Sequence, residues 1–467
     1  MVCQTDKFLS QMVALSPSDG YYSLMETDAL KRYSVLEVVL LAIFALGLAL
    51  SQVVVKVRSR MVLDEPVELP WAGIAAPLPL GGSWETAGGW RFERSDNAFV
   101  LLARLRAPRR EMNVRWRYAL CDEPTDPEAA MRQRAEAAGG QFLPLGTISG
   151  AVEMYFGRIV APTESGEDFL VGIAPLELGR RLELHITYRG DPDVAENAFR
   201  AMTAAVAYEH PELLAAGVER MRRFVDEYIG RPLAENEQTE AAFLIKDAAN
   251  RPLGYAIHRV FAFEDGDNGG HRRVTRRQFE AAGGIYAESD LWLDGAEGGF
   301  TWTTQIWPPR SSQPRRAELR TGAAGRIAVQ ANAERPRMLQ RTPMLLPDIF
   351  LSALAGAMAA AEDPEIVIDV LEGSGYVVPV RLSRIDPDTS PVQSEQPMII
   401  IRADYLSGPD TFIDFVFDAS ARPVGRLEQQ PRRSVRLWEA TSPQRLQVLF
   451  QDRFEPHGRQ NTRSDIL

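Results

Sequence analysis

Lysine and cysteine are nearly missing from this chain. Its four lysines are Lys7, Lys31, Lys56 and Lys246. Past residue 60, only Lys246 could supply an amine for Schiff-base or general-base chemistry. It sits in a strand-like stretch before a turn, where a surface role is expected. The two cysteines, Cys3 and Cys121, fall on opposite sides of a hydrophobic run and are not expected to pair. That leaves no disulfide framework, and no C-x-x-C zinc or redox motif is present. A net charge of −11 excludes a general nucleic-acid binder, which needs an excess of Lys and Arg on some face.

Catalytic signatures are equally scarce. None of the five histidines (His185, His210, His258, His271 and His457) stands in H-E-x-x-H or at metal-ligand spacing. His185 and His258 lie in strand-like stretches and read as packed or surface residues. The nucleophile elbow, the P-loop and the dinucleotide fingerprint are absent, and Gly373-Ser374-Gly375 reads as a turn. Asp265-x-Asp267 opens like a calcium loop, but Arg276 stands where the ligating Glu belongs. No catalytic residue, metal ligand or cofactor is therefore assigned, and a hydrolase with an unrecognised site is only an alternative.

Hydrophobic residues make up 45% and charged residues 25% of the 467, ordinary for a globular protein with room for two or three domains. The longest apolar run is residues 35–55, VLEVVLLAIFALGLALSQVVV. As a helix it would extend about 32 Å, enough for a hydrocarbon core of about 30 Å. It is too long for a cleaved signal peptide and lacks a cleavage site. The expectation is an uncleaved signal anchor, a single-pass membrane helix. Basic residues flank both ends. A short tail before one anchor favours placing the large part outside the cytoplasm.

The remainder divides by pattern. Residues 1–34 form a short polar tail and 56–82 a Pro-rich linker. Residues 83–232 read as a small α+β sandwich domain. It has a hairpin at 99–107 and 112–120, strands at 151–160, 168–175 and 181–188, and helices at 126–138, 194–208 and 212–230. Residues 237–455 read as a large antiparallel sheet, and 456–467 as a tail. Its strands are expected at 239–247, 253–263, 271–279, 284–293, 299–307, 316–321, 326–332, 365–371, 376–384, 397–405, 411–418, 423–429, 433–439 and 446–453. The basic runs at 271–277 and 432–436 read as solvated strand faces or loops. Asp247-Ala-Ala-Asn-Arg-Pro-Leu-Gly254 matches Asp418-Ala-Ser-Ala-Arg-Pro-Val-Gly425, which reads as the same strand-turn-strand connector used twice.

Within that sheet PDIFLSALAGAMAAA (347–361) is a helix apolar nearly all round. It must be buried, and a curved sheet is the obvious place. A long antiparallel sheet with an apolar helix in its middle, together with VIDVLEGSGYVVPVRL and FIDFVFDASARPVG, resembles the open β-barrels of periplasmic lipoprotein-carrier proteins. The similarity covers roughly residues 237–455 and rests on pattern. It implies an open barrel around an apolar helix, with a concave face that takes acyl chains. The anchor and the extra first domain depart from that family. The first domain is also weakly similar to the α+β sandwiches of photosystem extrinsic subunits.

The expected class is thus α+β: a transmembrane helix, a small sandwich, and an open barrel. The expected function is a membrane-anchored, non-enzymatic binding module for a lipid-like ligand or an envelope partner protein, with a structural envelope component as the alternative. Trp292, Phe300, Trp302 and Trp307, with Phe350 and Leu354 from the helix, are the candidate ligand-lining residues.

Overall fold

A computed structural model of the protein describes residues 39–47 and 62–451, except 82, 108–109, 122–125, 161–167, 230–237, 265–269, 282, 294–298, 309–312, 323–324, 333–335, 362, 391–396 and 432–434. Both expected tails and the Asp265-x-Asp267 segment lie outside these residues. The chain falls into two units, one ending at Met61 and the other starting at Val62. In the first, residues 39–47 are helical and exposed. Nine residues rise only about 14 Å, half of a hydrocarbon core.

No helix among the described residues is long and apolar enough to cross a membrane. This overturns the transmembrane helix over 35–55, the anchored α+β class and the single-pass membrane location built on it. An apolar run licenses a span only where the helix continues for about 20 residues, and residues 35–38 and 48–55 are not among those described.

The second unit is mainly β. Strands β1 (Val67–Leu69) and β2 (Ile74–Ala76) begin a small sheet. An eight-stranded sheet follows: β3 (Trp84–Thr86), β4 (Arg91–Glu93), β5 (Ala98–Ala107), β6 (Arg110–Ala119), β7 (Gln141–Ile148), β8 (Met154–Val160), β9 (Phe169–Pro175) and β10 (Arg181–Arg189). Its order is β3-β5-β6-β10-β9-β8-β7, with β4 also on β5. Helix α1 (Pro127–Ala137) covers one face through Met131, Phe142, Ile159 and Val171. Helix α2 (Pro192–Ala204) covers the other, with Phe199 stacked on Phe156 at 5.0 Å. Both start on an Asp cap followed by Pro: Asp126 accepts from the Ala129 amide at 2.8 Å, and Asp191 from Asp193 at 3.0 Å. Strand β11 (Ala207–Tyr208) then joins β2, and α3 (Glu212–Phe224) leads to the second sheet.

That sheet has fifteen strands. They are β12 (Gln238–Asp247), β13 (Pro252–Glu264), β14 (Gly270–Glu280), β15 (Ile285–Leu293), β16 (Phe300–Trp307), β17 (Arg315–Thr321), β18 (Arg326–Ala331), β19 (Arg337–Gln340), β20 (Leu345–Pro347), β21 (Ile366–Leu371), β22 (Val377–Ile385), β23 (Met398–Tyr405), β24 (Phe412–Asp418), β25 (Pro423–Gln429) and β26 (Arg436–Thr441). A turn over Asp348–Phe350 opens α4 (Leu351–Ala361), which packs against β23 and β24. The strand expected at 446–453 is instead a helix, α5 (Pro443–Phe450). Ser442 caps it by accepting from the Arg445 amide at 3.2 Å, and Pro443 is its first residue. Those two start signals outweigh the alternation of the segment.

The repeated Asp…Arg-Pro segments fold alike. Asp247 Oδ1 accepts from the Ala249 and Arg251 amides, and Asp418 Oδ1 from Ser420 and Arg422, all at 2.8–3.0 Å. In both, the fourth residue turns left-handed (Asn250 φ 67°, Ala421 φ 57°), and the segment joins neighbouring antiparallel strands.

Strand order shows how the large sheet closes. It begins at β19 and ends at β20, and the two are consecutive in sequence. The four residues between them reach at most about 18 Å. Fifteen strands laid flat would put the two edges about 65 Å apart. The sheet must therefore curl through nearly a full turn, and α4 carries the parallel crossover from β20 to β21.

The first sheet fills the seam. The Gln340 amide donates to the Cys121 carbonyl at 2.9 Å. The Arg180 guanidinium donates to both Asp369 carboxylate oxygens at 2.6 and 2.9 Å, and the two side chains are 2% and 0% exposed. Burial alone would lower the pKa of Arg180, but Asp369 reverses this and raises it. The Cys121 sulfur lies 3.6 Å from the same carboxylate, and burial pushes its pKa well up. Helix α3 lies on β21 so closely that a methyl on Gly217 would come within 2.0 Å of the Val367 carbonyl oxygen.

Two outcomes follow for chemical denaturation. Gly217→Ala, which would gain nearly 1 kcal/mol in a free helix, will instead cost about 1–3 kcal/mol because the methyl has no room. Asp369→Asn will cost roughly 3–5 kcal/mol by stranding the Arg180 charge, and Arg180→Met will restore much of that loss when added to it. Additive losses in the double variant would show that the two groups do not act as a pair.

Candidate functional site

The face of the large sheet that meets α4 can be followed by register from strand to strand. Across β15–β19 one row is Leu293, Phe300, Thr321, Ile327 and Leu339, and the next is Leu291, Trp302, Leu319, Val329 and Arg337. All their apolar members are buried. A turn over residues 372–376 presses on them and on the neighbouring Thr304, whose hydroxyl donates to the Gly373 carbonyl at 2.8 Å. A methyl on Gly373 would meet the Trp302 ring at 3.2 Å, and one on Gly375 (φ 81°) would meet Val329 at 2.2 Å. The third row is Ser289, Thr304, Ala317 and Ala331, and the fourth Ala287, Ile306 and Arg315. Ser289 and Ala317 of the third row are buried, whereas Ile306 of the fourth is 45% exposed.

A cleft of about 540 Å³ opens over rows three and four. Small and apolar groups (Ala287, Ala317, Ala331, Ile306) form its floor, and Arg276, Arg315 and Arg316 stand around it with Glu288, Asp348 and Glu372. Arg316 pairs with Glu318 at 3.0 Å and Arg276 with Asp348 at 3.0 Å. Arg276, Gln278 and Asp348 also border a second cavity of about 240 Å³ beside the start of α4. There the walls are polar: His258 from β13, Tyr405 from β23, Arg426 and Glu428 from β25, and Arg436 from β26.

The electrostatics of the smaller cavity are set by burial. His258 Nε2 is shielded from solvent and has no hydrogen-bond partner among the described residues. Its pKa is well below the usual histidine range, first because of burial and then because Arg276 and Arg426 repel a proton. Arg426 lies over the Trp438 ring, 3.2 Å from its centroid, and pairs with Glu428. Burial lowers its pKa and the Arg276 charge adds to this. Burial also raises the pKa of Tyr405, with Asp348 contributing. The described arginines of the 271–277 run are engaged: Arg273 with Asp290, Arg276 with Asp348, Arg277 with Glu288, and Arg272 with the Tyr228 carbonyl.

The aromatic candidates lie elsewhere. Phe300 and Trp302 are buried in the first two rows. Trp307 is buried on the opposite face against Tyr286, ring centroids 5.4 Å apart, and Trp292 is 39% exposed beneath the Arg273 guanidinium. Phe350 and Leu354 are buried with α4. None of the six borders either cavity among the described residues. The residues that do border them gave one faint signal, the strand Gly425-Arg-Leu-Glu-Gln429, in which both charges, Arg426 and Glu428, fall on the one face that borders the cavity.

No protein-family model matches the chain, and no curated protein is significantly similar to it. Among solved structures it is similar to a β-barrel-like protein of the domain of unknown function DUF1849 from Brucella abortus. That match has 8% identity over 44% of this chain and 97% of the other, with a TM-score of 0.32. A tail fiber of Staphylococcus aureus phage P68 also matches, at 8% identity over 79% of this chain and 65% of that one, with a TM-score of 0.11. Likenesses this slight carry no argument about function.

His258 ties the site to pH. An unfolded chain takes up the imidazole proton near pH 6.5, whereas the folded chain refuses it until much lower pH. The stability this gives is complete above about pH 6.5 and falls as pH drops below it, by up to about 1.4 kcal/mol per unit. His258→Gln will flatten the slope of unfolding free energy between pH 6.5 and 5. An unchanged slope would mean that His258 titrates normally in the folded protein.

Proposed function

We propose that this protein is a binding module whose curled sheet takes a lipid-like ligand with an anionic end. The observation that carries the reading is the open cleft over rows three and four, with its floor of Ala, Thr and Ile side chains and arginines at its margin. An acyl chain gains from the apolar floor, and arginine is suited to carboxylate or phosphate. Arg315 makes no ion pair with a described residue, so a ligand carboxylate would not have to displace one. Site clefts of this kind are typically about 300–1,000 Å³ with a few polar groups fixing orientation. Much of the remaining concave face is occupied by α4 and the 372–376 turn, which restricts the ligand to one side of the sheet.

Dansylaminoundecanoic acid, an acyl chain with a carboxylate end, is a suitable fluorescent probe. Saturable binding is expected, with displacement by unlabelled dodecanoate. Ala331→Trp will weaken it by at least about tenfold by filling the floor. Trp292→Ala, on the opposite face, will leave it unchanged. Absence of saturable binding, or equal binding by Ala331→Trp, would remove this reading.

A further inference from the structure

We infer that the smaller cavity, between the start of α4 and strands β13, β14 and β25, is an oxyanion subsite that accepts a carboxylate or phosphate group. Three arginines border it, Arg276, Arg426 and Arg436, against the carboxylates of Asp348 and Glu428. Arg436 is answered from outside the lining by Glu280. A guanidinium has five N–H donors, so one carboxylate does not exhaust it. Two donor positions are unused: Arg426 Nε and His258 Nε2 are shielded from solvent and have no hydrogen-bond partner among the described residues. Arg426 lies over the Trp438 ring and pairs with Glu428, so its guanidinium is held in place before any ligand arrives. His258 stays neutral there and can donate from the tautomer protonated at Nε2. An anion bound in the cavity would relieve the mutual repulsion of Arg276 and Arg426.

The cavity also shares Arg276, Gln278 and Asp348 with the wide cleft. A chain lying in the cleft would bring its charged end to this point. The source of the anion therefore rests on the proposed ligand of the cleft, whereas the subsite stands on its own residues. An unattached phosphate would be recognised by the same groups.

The test uses inorganic phosphate and dodecyl phosphate with the full chain. Inorganic phosphate, against chloride at equal ionic strength, is expected to raise the thermal midpoint saturably and to move the His258 imidazole resonance. Arg426→Met will lose both effects, as will Ser352→Leu, which fills the cavity from α4 and serves if the arginine variant does not fold. No saturable shift in the unmutated protein, or a shift that both variants keep, overturns the subsite. Dodecyl phosphate is expected to bind at least about tenfold tighter than phosphate and to fall to the phosphate level in Ala331→Trp. If phosphate binds but the chain adds nothing, the subsite holds for a free anion and the lipid-like reading of the cleft falls alone.

Discussion

The buried pair of Arg180 and Asp369 holds the architecture together. A fifteen-stranded sheet that curls until its edges nearly meet must either pair those edges or find something to fill the gap. Here β19 and β20 do not pair. The gap is met by loops of the first sheet, with Cys121 bonded to Gln340 and Arg180 to Asp369. Two charges out of water are costly, so the pair is stable only in this one docked arrangement, where both Asp369 oxygens are satisfied by one guanidinium. It thus specifies where the first sheet sits as much as how firmly. Cys121 itself takes a left-handed backbone (φ 51°), a conformation a non-glycine residue adopts at some cost, and its carbonyl meets the edge of β19.

Much of the strand layout was legible because alternation survives wherever one face of a sheet is buried. The hairpin of β5 and β6 is an example, and so are the Asp247 and Asp418 turns, whose side-chain bonds are written directly in the sequence. Strand β7 was not legible. Pro144 and Gly146 interrupt its alternation, and the pairing with β8 shifts register there. The apolar run near the N-terminus misled for a different reason. Composition reports what a segment would do as one long helix, and it cannot report whether the helix continues.

The candidate site was less legible than the fold. Aromatic residues were the conspicuous signal on β15 and β16, yet Trp292 is on the opposite face and those of β16 are buried: Trp302 closes the interior and is 0% exposed. The cleft is lined instead by residues too ordinary to single out, alanines and arginines whose meaning depends on register. Ala317 and Ala331 are opposite each other only because β17 and β18 pair as they do. Arg276 and Arg426 come near each other around His258 across strands far apart in sequence, which no local pattern encodes.

Seam and cleft are also linked physically. The 372–376 turn that walls the cleft directly follows β21, the strand bearing Asp369. The first sheet grips its far side as well: the Asn97 side chain accepts from the Val377 amide at 2.9 Å. Arg94 pairs with Glu372 and lies over the Tyr376 ring at 5.2 Å, with Arg337 over the same ring at 4.8 Å. Glu372 and Tyr376 are themselves part of the cleft lining. One wall of the cleft is therefore built jointly by both sheets, and its position is fixed by contacts that exist only when the first sheet is docked in the seam. A large sheet folded without its partner would lose the buried charge pair and the clamp on this turn together. The first sheet is in that sense a structural part of the cleft.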